Sequence, residues 1–437
     1  VQISSHNIFS RLRDSDQHFL INPLSRQADI LDAETAEEYR SGQFADPSVW
    51  VEKGYLVEPA EEAKRYKAAY LNFIENRDRD EVQIFFLPTY ACNFACSYCY
   101  QEGYEPHREV FREDVIDAFF TYIDAEFAER RKYITVFGGE PLLSGEATGL
   151  TVERLIREAG KRGLELAFVT NGFHLEEYVP LLKTGKIREI QVTLDGVGDA
   201  HDRRRPHKAG EASFDRIVRG IGACLSAGIP VNLRMVLDKE NIEELPRLAR
   251  FAREQGWTAS PLFKTQLGRN YELHYCQKGS GKLYDRVSLY QDIYDLVLKN
   301  PEILEFHRPA FSISKFLWEN GEMPQPLFDA CPGTKTEWAF DFTGKIYSCT
   351  ATVGKPGEEL GTFYPVRTLK SEIIAEWGER DVTGIPECAL CNLRLACGGG
   401  CASVAKNKSG RILSPDCRPV TELLELGLSL YFEKEVV

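Results

Sequence analysis

From about residue 80 to 300, short apolar runs of strand character alternate with stretches whose apolar positions recur every three or four residues, the pattern of β/α units around a parallel sheet. The strand-like runs are VQIFFLP (82–88), YITVFGG (133–139), LAFVTNG (166–172), IQVTLDG (190–196), VNLRMVL (231–237) and, with the weakest pattern, PLFKTQ (261–266). Between them lie helical stretches such as REDVIDAFFTYIDAEFAER and NIEELPRLARFAREQG, whose acidic starts and arginine-rich ends suit the helix dipole. After the last run, Leu283, Val287, Tyr290, Tyr294 and Val297 recur on one helical face. The first 78 residues read differently: two short strands about an NPLSRQ turn, an acidic-start helix ended by Gly42, then a further short helix and strand, a small α+β unit.

Composition narrows the class. No window approaches the eighteen or so consecutive apolar positions of a membrane span, and the first thirty residues hold no continuous apolar stretch of the secretory kind, so the expectation is a cytoplasmic protein with no membrane partner. A net charge of −13 repels phosphate backbones, which argues against nucleic acid. The one basic knot, HDRRRPHK at 201–208, reads as a solvated loop. Twelve cysteines in a long chain without a secretory signal point to metal or redox chemistry rather than to disulfides. Three fall at Cys92, Cys96 and Cys99, seven fall between Cys331 and Cys417, and Cys224 and Cys276 stand alone; Cys224, in a helical IGACLSAG, reads as core.

Several strand ends carry glycine: Gly138, Gly139, Gly172 and Gly196. In parallel β/α folds the C-terminal strand ends form the ligand face, so these glycines are either ordinary turns or backbone drawn close to a bound molecule. Directly after the first strand, YACNFACSYCY places three thiols in one loop. Three thiolates leave one iron of a four-iron cubane open to a non-protein ligand. Zinc would need a fourth ligand, and no histidine lies nearer than His107.

CNFACSYC has the form CxxxCxxC with an aromatic, Tyr98, before its last cysteine, and resembles the radical S-adenosylmethionine (SAM) superfamily. GGEPLL at the second strand end, TNG at the third and VTLDG at the fourth extend the match. The resemblance implies a partial (β/α)6, TIM-like barrel. It implies that Cys92, Cys96 and Cys99 hold a 4Fe-4S cluster, and that Tyr98, Gly138, Gly139, Glu140, Thr170 and Asn171 surround SAM. It also implies that Thr193 reaches the ribose and Arg205 pairs with the SAM carboxylate, a task that suits a planar guanidinium.

The tail runs Cys331-x12-Gly344-x4-Cys349, then Cys388-x2-Cys391-x5-Cys397-x3-Cys401, then Cys417. This spacing resembles the SPASM extension of many radical SAM maturases, with zinc ribbons as the alternative for CALC and CGGGC. By that resemblance an outer auxiliary 4Fe-4S cluster takes Cys388, Cys391, Cys397 and Cys417, and an inner one takes Cys331, Cys349 and Cys401. Where relatives carry the inner cluster's fourth thiolate this chain has Gln325, so either the inner cluster has an open iron or a distant residue such as Cys276 closes it. The expected architecture is thus α/β: a small α+β domain over 1–78, a radical SAM barrel over 79–310 and an irregular iron-sulfur SPASM domain over 311–437.

The resemblance implies reductive cleavage of SAM to a 5′-deoxyadenosyl radical that abstracts hydrogen from a peptide, giving a thioether or carbon-carbon crosslink. Its partners would be a peptide or protein substrate with a leader sequence and a reductant such as a flavodoxin or ferredoxin. Sulfatase maturation is the main alternative, and it is weakened because Thr350 stands where those enzymes carry an aspartate after the second SPASM cysteine. A small-molecule radical SAM oxidase and a non-enzymatic zinc or iron-sulfur module are the others. The N-terminal unit loosely resembles the winged-helix-like domains that hold leader peptides by β-augmentation. No side chain stands out as a catalytic acid or base.

Overall fold

A computed structural model describes residues 1–99, 101, 112–270 and 281–433. Its centre is a ten-stranded sheet. The N-terminal unit comes first in the chain, with β1 (Gln2–Ile3) paired to β5 (Leu56–Val57) and a separate antiparallel sheet of β2 (Ile8–Arg11), β3 (His18–Asn22) and β4 (Gln27–Leu31). Its helix Ala33–Ser41 opens on Asp32, whose carboxylate accepts from the Thr35 amide, and closes on Gly42, as the sequence suggests.

Six parallel strands follow: β6 (Val82–Leu87), β7 (Lys132–Val136), β8 (Leu166–Thr170), β9 (Ile187–Thr193), β10 (Val231–Leu237) and β11 (Phe263–Arg269), hydrogen-bonded in that order. Burial on both faces explains their apolar content: the outward residues Ile84, Ile134, Phe168, Ile190 and Leu233 are sealed under the helices. The α/β class with a radical SAM-like partial barrel therefore stands. The late helix begins at Arg286, capped by Asp285, so Leu283 lies ahead of it and the buried face is completed by Leu289, Ile293 and Leu296.

The cysteine-rich segment is less irregular than its sequence suggests. β12 (Glu337–Asp341) pairs in parallel with β6, Glu337 against Gln83 through Asp341 against Leu87, and so continues the barrel wall. Antiparallel β13 (Lys345–Tyr347), β14 (Gly361–Thr362) and β15 (Thr368–Leu369) extend the same sheet, so a division at 310/311 separates strands of one continuous sheet.

The N-terminal unit packs on the tail. Ile8, Leu12, Phe19 and Ile21 share a core with Met323, Cys397, Val420, Leu424 and Leu428. A 21-residue helix, Pro59–Arg79, lays Tyr66, Ala69, Tyr70 and Phe73 against Phe328 and the residues around Cys388.

Candidate functional site

The C-terminal ends of the barrel strands surround a cavity of about 660 Å³. Cys92, Cys96, Cys99, Tyr98, Gly138, Gly139, Thr170, Asn171, Thr193 and Arg205 all line it. Glu140 does not. It is 1% exposed, and its carboxylate accepts hydrogen bonds from the Thr170 hydroxyl (2.6 Å) and the amides of Asn171 (2.6 Å) and Leu142 (2.8 Å). Its role in this structure is to tie the second strand end to the third, and burial pushes its pKa up to about 7.

The paired glycines also have a protein-side reason. The Gly139 amide donates to the Thr89 carbonyl at 3.0 Å and the Glu140 amide to the Ala91 carbonyl at 2.8 Å, which straps the GGE turn to the cysteine loop. A Cβ on Gly139 would stand 2.0 Å from the Ala91 oxygen, so any larger residue would push the two loops apart. Close approach to the neighbouring loop is thus one demand on this glycine, separate from approach to a ligand.

The basic knot differs from the solvated loop its composition suggests. Arg204 is buried and donates to both carboxylate oxygens of Asp238 at 2.9 and 2.7 Å, while Arg203 is exposed. His201 is fully buried and accepts from the Asp195 amide through Nδ1. Arg205 donates to the Tyr98 hydroxyl, which in turn donates to Asp195 at 2.5 Å. A strand-end carboxylate, Asp195 of VTLDG, therefore organises the arginine and the tyrosine from behind. In the sequence Asp195 is marked only as a charged residue inside an otherwise apolar strand end.

The donor set fits an iron-sulfur cluster with a ligand beside it. The three thiols all edge the cavity, so a group they hold there is open to a second ligand. Burial pushes the Cys92 thiol up to about 12 and the Cys96 thiol up to about 11, so only a bound metal would hold them as thiolates at neutral pH. The Phe94 amide points at the Cys92 sulfur at 3.4 Å and the Asn171 side-chain amide at 3.9 Å, positions that suit a charged sulfur. Arg205 Nε and Asn93 Nδ2 are buried at this site with no hydrogen-bond partner among the described residues.

The tail thiols form two groups. Cys388, Cys391, Cys397 and Cys417 lie close enough to act on one another electrostatically, and so do Cys331, Cys349 and Cys401. The CGGGC turn carries three consecutive positive φ angles, 63°, 72° and 68° at residues 398–400, and a Cβ on Gly400 would stand 2.0 Å from the Asp416 oxygen. The turn wraps the fully buried Arg380, which donates to the carbonyls of Gly399 (2.8 Å), Gly400 (3.1 Å), Ile412 (2.9 Å) and Ser414 (2.9 Å). Gln325 and Cys331 line one cleft of about 590 Å³. Cys224 is core. Cys276 and His107 lie outside the described residues. Thr350, directly after the buried Cys349, lines the barrel cavity, so the tail contributes to its wall.

Residues 86–252 match the family model of the Radical SAM superfamily. The barrel segment of the chain thus carries a radical SAM domain. That match implies SAM and a 4Fe-4S cluster as the groups held at the cysteine loop. Among relatives of this radical SAM chain, the GTP 3′,8-cyclase of Nautilia profundicola is 29% identical over 178 residues, 39% of this chain and 52% of that protein. The Fe-coproporphyrin III synthase of Methanosarcina barkeri is 25% identical over 57% of this chain and 58% of that one. The chain spans about half the length of the curated relatives it matches first. Among solved structures, native anSMEcpe with bound AdoMet and Cp18Cys peptide gives a TM-score of 0.60 at 17% identity over 81% of this chain and 99% of that one. Streptococcus suis SuiB bound to precursor peptide SuiA gives 0.52 at 15% identity over 96% and 99%. At these identities the likeness is one of fold. Among the described residues no helix is long and apolar enough to cross a membrane.

Proposed function

We propose that this radical SAM enzyme is a peptide maturase, with residues 1–78 holding a leader, 79–310 forming the catalytic barrel and 311–437 carrying two auxiliary 4Fe-4S clusters. The observation that carries the reading is the single cavity that joins the CxxxCxxC loop, the strand-end motifs and Thr350 beside Cys349. In this reading a substrate in that cavity sits beside the barrel thiols and one residue from Cys349 of the tail. The fold likeness to anSMEcpe with its peptide and to SuiB with SuiA, the latter over 96% of this chain, supports a peptide as that substrate.

In this reading Cys92, Cys96 and Cys99 hold the SAM-binding cluster. The cluster and SAM together supply the hydrogen-abstracting radical. Arg205, fixed by Tyr98 and Asp195, orients the SAM carboxylate; Thr193 and Asn171 position the nucleoside; and the Gly138–Gly139 backbone keeps the methionyl end against the cysteine loop. Glu140 serves by holding the second and third strand ends in register. In the tail, Cys388, Cys391, Cys397 and Cys417 take the outer cluster and Cys331, Cys349 and Cys401 the inner one, which would accept the substrate's second electron. A flavodoxin or ferredoxin would serve as reductant.

The GTP 3′,8-cyclase relatives support a second reading, a small-molecule oxidase, but they align with only about two fifths of this chain. The readings separate by incubating the reconstituted, reduced enzyme with SAM and either GTP or the short peptides encoded beside its gene. A maturase yields a peptide lighter by two hydrogens per crosslink and leaves GTP unchanged. Turnover of GTP with every such peptide unchanged contradicts the proposal.

A further inference from the structure

Strand alternation gives the barrel a second, deeper polar layer. On β9, β10 and β11 the inward positions are Glu189 and Gln191, Asn232 and Arg234, and Lys264 and Gln266, and the parallel registers set Arg234 between Thr193 and Gln266. Part of this layer is satisfied internally: Glu189 accepts from the Asn232 amide at 3.3 Å and pairs with Lys264.

Arg234 is different. Its guanidinium lies over Gly268 of β11, where a Cβ would stand 3.1 Å from both Nε and Nη2, so the missing side chain at 268 makes its cradle. Among the described residues no hydrogen bond or ion pair reaches that guanidinium, and its buried Nε has no acceptor. The side-chain amides of Gln191 and Gln266, which line the same cavity, are likewise without partners. A guanidinium whose buried Nε lacks an acceptor is under-satisfied, and a ligand carrying an acceptor and a counter-charge would complete it.

We infer that Arg234 is a substrate anchor, a fork that takes a carboxylate of the substrate at the level of Thr193, flanked by the amides of Gln191 and Gln266. One unpaired charge matches one carboxylate. A polyphosphate would need several cations, yet the other described cations lining the cavity are Arg205, already engaged by Tyr98 and Asp195, and Lys208, which is exposed. Arginine's planar fork meets a carboxylate through two parallel hydrogen bonds, so it fixes orientation as well as position. The inference rests on the proposal that the barrel lumen receives a peptide, and it specifies that the segment entering it carries an acidic side chain or a free C-terminus.

The test is protection from phenylglyoxal, read at Arg234 by peptide mapping of the reconstituted, SAM-loaded enzyme. Four probes are compared at roughly 10 mM, the range in which a lone Arg-carboxylate contact is occupied: N-acetylaspartic acid amide, N-acetylalanine, N-acetylasparagine amide and tripolyphosphate. One or both carboxylates should slow labelling of Arg234 by about fivefold, with the neutral amide inert. The first protecting alone identifies an acidic side chain, and the second alone a C-terminus. In Gly268→Val, which displaces the guanidinium, that protection should fall below about twofold. Protection by tripolyphosphate alone, equal protection by the neutral amide, retention of full protection in Gly268→Val, shielding by SAM with no probe, or an Arg234 that never reacts would each overturn the inference. Absence of 5′-deoxyadenosine from the reduced enzyme would instead remove the functional reading, so the two failures are distinguishable.

Discussion

The two cysteine regions solve opposite problems with the same side chain. In the barrel, Cys92, Cys96 and Cys99 are partly exposed and edge a large cavity, held by a loop strapped to the strand ends beside it. In the tail, Cys331, Cys349, Cys388 and Cys397 are buried, and the turn that carries two of the seven thiols is wound around a fully buried arginine. The barrel builds an open site that a small molecule enters. The tail encloses four of its seven thiols, and its CGGGC turn is braced from within by Arg380. A thiol set that exchanges ligands needs access, whereas one that stores charge or rigidity needs enclosure.

That contrast breaks most sharply at Arg380. Arg380→Met removes the guanidinium that donates to four carbonyls and pairs with Asp329, and such losses of a buried, hydrogen-bonded charge cost about 3–5 kcal/mol. We expect the denaturation midpoint to fall accordingly and iron to be lost from the tail, with the barrel's EPR response to SAM retained in whatever protein stays folded. Equal loss of both signals would show that the two regions are not separate devices.

A smaller effect probes the seam between the tail and the N-terminal unit. His6 is buried, stacked on Tyr66 and beside Arg394, and burial followed by that arginine lowers its pKa from 6.5 to about 4. The folded state thus binds fewer protons than the unfolded one. Stability from this site is complete above pH 6.5 and is lost as pH falls toward 4, on the order of 2 kcal/mol by pH 5. His6→Gln should flatten that part of the pH profile of urea denaturation, and an unchanged slope would contradict the assignment.

The smallest effect sharpens the open site. Glu140→Gln removes the carboxylate that bridges the second and third strand ends but no thiol. A loss of about 1 kcal/mol from one such hydrogen bond predicts SAM binding weakened about fivefold, with iron content unchanged. Loss of iron from this variant would mean that Glu140 supports the cluster loop rather than the SAM face.

Much of the barrel was legible because period-two apolar runs and strand-end motifs are local signals. The two groups of tail thiols were assigned through the resemblance to the SPASM extension, and the structure brings the same residues near one another. Other features depend on distant partners. β12 joins β6 across more than 250 residues, Glu337 against Gln83, and nothing near either strand announces the pairing. The helix Pro59–Arg79 contains no fully buried residue of its own, so its docking on Phe328 leaves a faint apolar stripe. Arg204 looked like part of a solvated knot because its partner, Asp238, lies a strand away. The lumen residues Gln83, Glu189, Gln191, Arg234 and Gln266 were legible in principle, as polar residues at alternate positions of strands otherwise read as wholly apolar.

The central claim is that three thiols serve SAM while seven serve electron storage, and one paired measurement tests it. Anaerobically reconstituted wild-type protein and the Cys92→Ala/Cys96→Ala/Cys99→Ala variant are each assayed for iron and, after reduction with dithionite in the presence of SAM, for 5′-deoxyadenosine. The account predicts about twelve iron per chain and 5′-deoxyadenosine from the wild type, against about eight iron and none from the variant. A variant that still cleaves SAM, or one that loses all of its iron together with the barrel thiols, would contradict it.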